Sequence, residues 1–137
     1  MDFRLSTRQG RIGTVVEVAG DLDMSTTPEL RDRLRLLVES GVQAVVVDLT
    51  GVGFMDSSGL GALVVAYKDL RERGGSLALA GVGRSVRTVL SITSVDRVID
   101  VFDTVDDAEK AARVVSSPPT LGEGAGAGGV RAGGARP

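Results

Sequence analysis

Val45-Val46-Val47-Asp48-Leu49-Thr50-Gly51-Val52-Gly53-Phe54-Met55-Asp56-Ser57-Ser58-Gly59-Leu60-Gly61 is the stretch that decides the fold. Its first part belongs to a nearly continuous β-branched run, Val42 to Leu49, the pattern of a central strand covered on both faces. A short glycine-bearing turn is expected after it, then a carboxylate and two hydroxyls, then a helix. In that helix Leu60, Leu63, Val64, Tyr67 and Leu70 recur at three-and-four spacing. The layout sets a serine at the exposed start of a helix, where the first backbone N–H groups lack partners within the helix. A phosphate there is expected to be favoured by those N–H groups and by the helix dipole.

Working outward, Phe3 to Thr7 and Thr14 to Ala19 read as strands around a Gln9-Gly10-Arg11 turn. Gly20-Asp21-Leu22-Asp23 follows, and then a helix start. Thr26 with Glu29 fits a capping box, while Thr27 with Pro28 fits a cap followed by proline; the residues do not choose between them. Leu30, Leu34, Leu37 and Val38 share one helical face, and Gly41 stands at its C-terminal end. Gly74-Gly75 stops the helix after the serines. A strand at Ser76–Ala80, a short helix at Arg84–Leu90, a strand at Val98–Phe102 and a helix from Thr104 to about Val115 complete the order. The predicted class is α/β: a mixed central sheet of about five strands flanked by about four helices over residues 1–115. Residues 116–137, rich in Gly, Ala and Pro, are expected to form a disordered tail. Gly124-Ala125-Gly126-Ala127-Gly128-Gly129 formally matches a dinucleotide fingerprint. No strand precedes it and no helix follows, so it reads as composition.

The chain of 137 residues has no histidine, cysteine or tryptophan and a net charge of −2. The commonest general base and the thiolate metal ligands are therefore absent, as are a basic footprint for nucleic acid and a membrane-spanning apolar run. No Gly-x-Ser-x-Gly elbow surrounds Ser57 or Ser58, and the lysines, Lys68 and Lys110, lie far along the sequence. The expectation is a cytoplasmic protein that is not an enzyme, holds no cofactor or metal, and contacts neither nucleic acid nor membrane directly. Two alternatives for the serines stay open at this level: plain helix caps, or a place where charge is added. The use of glycine at 59 and 61, where alanine would hold a helix better, points to close approach by another molecule. Asp21, Asp23, Asp48 and Asp56 are read as able to gather at one end of the sheet; solvated turn and strand-end positions are favoured over a cation site, with a local negative potential as the remaining role.

Phe54-Met55-Asp56-Ser57-Ser58-Gly59-Leu60-Gly61, with Gly20-Asp21-Leu22-Asp23 before it and Gly74-Gly75 after it, resembles the STAS-domain anti-sigma factor antagonists of bacteria over about Phe3 to Val115. The resemblance implies that the chain binds an anti-sigma factor with serine kinase activity and so frees a sigma factor. It also implies that the kinase phosphorylates Ser57 with ATP, weakening the complex, and that a metal-dependent serine phosphatase reverses this. It assigns partner binding to Asp23, Asp56, Ser58, Gly59, Leu60 and Gly61. A STAS-type small-molecule or nucleotide sensor is the alternative; the segment lacks the Gly-Lys-Ser/Thr of a P-loop. Val52-Gly53 replaces a larger residue in the turn before the motif, which bears on which partner is bound.

Overall fold

The structure, a computed structural model, describes residues 2–116, with side chains through residue 111. The tail expected at 116–137 lies outside the described residues apart from Ser116, the last residue of the final helix. The elements are β1 (Arg4–Gln9), β2 (Thr14–Leu22), α1 (Thr27–Glu39), β3 (Ala44–Met55), α2 (Ser57–Glu72), β4 (Ser76–Ala80), α3 (Arg84–Ile92), a 3-10 turn (Val95–Arg97), β5 (Val101–Phe102) and α4 (Val105–Ser116). The sheet order is β1-β2-β3-β4-β5, with β1 antiparallel to β2 and the other pairs parallel. The mixed sheet with four helices is the predicted fold.

Parallel neighbours taken in sequence order step across the sheet in one direction. Right-handed crossovers then put α1, α2 and α3 on the same face. That face carries the main core, in which Val16, Leu22, Leu30, Val47, Leu49, Leu63 and Leu79 are essentially fully buried. α4 follows the last strand and covers part of the opposite face through Val15, Val46, Ala80 and Ala108. Val45 and Val47 point one way and Val46 the other, the two-residue alternation of a strand covered on both sides.

Helix endings are local chemistry. After α1, Gly41 takes φ +90°, its N–H donates to Val38 O and that of Val42 to Leu37 O; after α2, Gly74 takes φ +79° with equivalent bonds to Arg71 O and Leu70 O. Both are Schellman endings, in which glycine adopts the left-handed conformation at no steric cost. α4 is tied to the β1–β2 turn by the Arg11 N–H donating to the buried Glu109 carboxylate at 2.7 Å, with Arg11 also 3.1 Å from Asp106.

Three expectations are corrected. Gly51-Val52-Gly53 is no turn: β3 continues to Met55 because Val52 and Met55 find buried positions and β2 runs alongside. β2 likewise continues past Gly20 to Leu22, with register shifts between Glu17 and Ala19 and between Gly20 and Asp21, where Gly20 sits at φ +99°. Val98–Phe102 is a strand only at Val101–Phe102, since the 3-10 turn takes up the chain before it and Ile99 is drawn into the core.

Because β4 pairs with β3 only as far as Asp48, and β1 with β2 only as far as Ala19, the segments Ala19–Leu22 and Gly51–Met55 project as a two-stranded ribbon. The helix that follows it is pinned by Leu63, which is fully buried. Leu63→Ala should cost about 2–5 kcal/mol, read as a lower denaturant midpoint at unchanged slope.

Candidate functional site

At the tip of the ribbon Leu22 pairs with Met55, and the Asp56 N–H donates to Leu22 O at 2.9 Å. This brings the residues that follow each strand, Asp23 and Asp56, beside one another, each at the entrance to a helix. Asp56 has extended backbone (φ −99°, ψ −175°) and caps α2: one carboxylate oxygen accepts from Ser58 N–H at 2.8 Å, Gly59 N–H at 3.2 Å and the Ser58 hydroxyl at 2.6 Å. Asp23 closes its own turn, accepting from Ser25 N–H at 2.9 Å, the Ser25 hydroxyl at 2.7 Å and Thr26 N–H at 3.2 Å.

Neither predicted cap for α1 forms as drawn. Thr26 occupies the cap position, but its hydroxyl turns back to donate to Asp21 O at 2.7 Å and accepts from Asp23 N–H at 3.0 Å. Thr27, at the first helical position, is completely buried, and its oxygen lies 3.0 Å from the Ser58 oxygen. That contact ties the first turns of α1 and α2 together.

Ser57 and Ser58 thus differ sharply. Ser58 is half-buried and its hydroxyl is engaged on both sides; Ser57 is exposed, and among the described residues its hydroxyl makes no hydrogen bond. Asp56 has already taken two amides of the first turn, so a phosphate on Ser57 would not find them free. The Ser57 N–H and the helix dipole remain to favour it, with the Asp56 carboxylate close by to oppose it.

The Asp56 carboxyl is held below its ordinary value of 3.8, first by the Ser58 hydroxyl, against desolvation and the Asp23 charge, which push upward. The Asp23 carboxyl is also lowered, first by the Ser25 hydroxyl. Both are therefore ionised at neutral pH, and the ribbon tip is an anionic spot. Asp48 does not join it. Asp48 pairs in register with Glu17 and Ala80 and binds the Thr50 N–H and hydroxyl; it lies eight residues from Asp56 along β3, about 26 Å of extended chain. No group of three or more potential metal ligands occurs among the described residues.

The two glycines have different roles. A Cβ on Gly59 would lie 3.0 Å from the Leu22 Cβ and 3.2 Å from the Met55 Cγ, so Gly59 lets α2 sit against the ribbon; it and Leu60 are buried. Nothing lies within 4 Å of the equivalent point on Gly61, which is exposed. Close approach from outside therefore applies to Gly61 and not to Gly59. Met24 (79% exposed) follows Asp23 and Phe54 (48% exposed) stands two residues before Asp56; neither was assigned a site role from the sequence. The signal for Phe54 was its place before the buried Met55, where alternation turns it outward. A separate cleft of about 290 Å³ lies on the other face, lined by Arg4, Ser6, Glu17, Asp48 and Gly51, away from Ser57.

Two predictions follow from this geometry. Gly61→Ala should raise stability by about 1 kcal/mol through helix propensity, whereas Gly59→Ala should lower it, both read by thermal unfolding. The lowered Asp56 carboxyl contributes stability that is present above pH 3.8 and lost as pH falls through its lower folded value. Asp56→Asn should therefore flatten the acid side of a stability–pH profile relative to the parent chain.

Comparisons with known proteins agree with this frame. The family model of the STAS domain matches residues 5–108. An anti-sigma-B factor antagonist of Bacillus subtilis is 32% identical over 101 residues, 74% of this chain and 92% of that protein. The crystal structure of an anti-sigma factor antagonist from Mycobacterium paratuberculosis superposes with a TM-score of 0.77 at 28% identity, covering 82% of this chain and 95% of that one. The fold is shared as well with a Bacillus cell fate determinant in its phosphorylated form, TM-score 0.64 at 22% identity over 82% of this chain and all of that one.

Proposed function

Because this chain belongs to the STAS-domain family, we propose that it is an anti-sigma factor antagonist whose binding to an anti-sigma factor with serine kinase activity is switched off by phosphorylation at Ser57. The relatives' names support the general role. The observation that carries the switch is the contrast between the serines, since Ser57 is the hydroxyl of the pair that is exposed and unbonded.

The mechanism is one of charge. Unmodified Ser57 is small and neutral, so a partner can close over Met24, Phe54 and the exposed side of Gly61. Phosphate adds roughly −1.5 to −2 charge beside two carboxylates already ionised at neutral pH. In the free protein water screens that charge. Under a partner the water is lost, and like charges held together cost several kcal/mol, where each 1.4 kcal/mol is about tenfold in affinity. A metal-dependent phosphatase would restore the neutral form, and all three proteins would meet in the cytoplasm. Among the described residues no helix is long and apolar enough to cross a membrane.

Incubation with the host's anti-sigma kinase and ATP, followed by intact mass, tests the reading. One added phosphoryl group, lost in Ser57→Ala, is expected; no transfer to the parent chain would overturn it. Ser57→Asp should weaken partner binding at least about tenfold, the equivalent of one 1.4 kcal/mol step, while the unfolding temperature moves little. Equal binding by the aspartate variant would remove charge as the lever.

A further inference from the structure

Thr27 is fully buried, yet its hydroxyl belongs to the partner-facing end of the molecule through Ser58. A hydroxyl has one proton. That of Ser58 goes to the ionised Asp56 carboxylate at 2.6 Å, so the 3.0 Å contact with Thr27 must be filled by the Thr27 proton. The result is a directed chain, Thr27 to Ser58 to Asp56, in which each bond polarises the next and the last acceptor is charged. Ser57, one residue away, stands outside it.

We propose that Thr27 is a positioning residue: by donating to Ser58 it fixes that hydroxyl on Asp56, and leaves Ser57 as the free hydroxyl of two chemically identical neighbours. The consequence for modification rests on the switch proposed above. Phosphoryl transfer breaks the terminal phosphoanhydride of ATP, forms a bond from serine Oγ to phosphorus, and sends the hydroxyl proton to a base on the kinase. Ser57 gives up no protein hydrogen bond to do this. Ser58 must break its bond to Asp56, and one of its two lone pairs is already taken by Thr27, so site choice is built into the substrate as well as the kinase.

The test is Thr27→Val, which keeps the shape and removes the donor, with Thr27→Ala as a second variant and Thr27→Ser as the conservative rescue. In the purified full chain, three-bond NMR couplings report the Ser58 χ1 rotamer. A single rotamer is expected in the parent and in Thr27→Ser, and averaging in Thr27→Val and Thr27→Ala. An unchanged single rotamer in both variants overturns the proposal. With the anti-sigma kinase and ATP, fragment mass spectrometry should find the share of phosphate on Ser58 rising about fivefold in Thr27→Val, the factor that one ordinary hydrogen bond represents, and returning to the parent value in Thr27→Ser. Phosphate confined to Ser57 in Thr27→Val also overturns it. No phosphate on the parent chain would count against the switch, and the rotamer measurement would still decide the role of Thr27.

Discussion

The pairing of Leu22 with Met55 at the end of a two-stranded ribbon is the constraint on which the rest depends. It is not a product of the regular sheet, whose other strands have stopped several residues earlier. Two register shifts and a left-handed glycine at 20 let β2 keep pace with β3 over that extension. Buried Leu22, Val52 and Met55 hold the ribbon against α2. One residue of slippage would turn these side chains to solvent. It would also separate the Asp23 turn from the Asp56 cap, and the anionic spot would cease to exist as a unit.

The charge logic follows from that placement. A carboxylate at a helix start is ordinary capping, and two such starts side by side would normally repel. Each carboxylate is satisfied separately by hydroxyls and amides of its own turn, so both stay ionised despite their proximity. The protein thus has an anionic surface on which the Ser25, Thr26, Ser58 and Gly59 amides and the Ser25 and Ser58 hydroxyls are already used. Such a surface accepts a partner that brings its own donors, and has little capacity to absorb further negative charge.

Much of this was legible in the sequence, because most of it is periodic or local. The α1 and α2 stripes, the glycine endings at 41 and 74, and the β-branched core of β3 are encoded within a few residues. The ribbon was not, because Gly51 and Gly53 carry turn chemistry, and only pairing with β2 and burial of Val52 and Met55 override it. Thr26 and Thr27 both carry capping chemistry, yet one bonds backward into the Asp23 turn and the other sideways to α2; the Thr27 partner, Ser58, lies 31 residues away, too far along the chain to be inferred. Gly59 shows the same limit. Its composition suggested an opening to the outside, while the true reason is a leucine 37 positions earlier. Local signals gave the elements, and contacts between distant segments decided what the site residues do.

The two faces of the sheet are unequally held. One is sealed by three helices over large aliphatic side chains, the other by α4 resting on a cluster whose buried members, among the described residues, are two valines and two alanines. Dispersion and desolvation scale with area, so among the described residues the second contact is the weaker seam. Opening α4 as a unit leaves the main core and the ribbon tip intact. Partial unfolding should therefore begin on the side away from Ser57, with the binding end among the last parts to lose its shape.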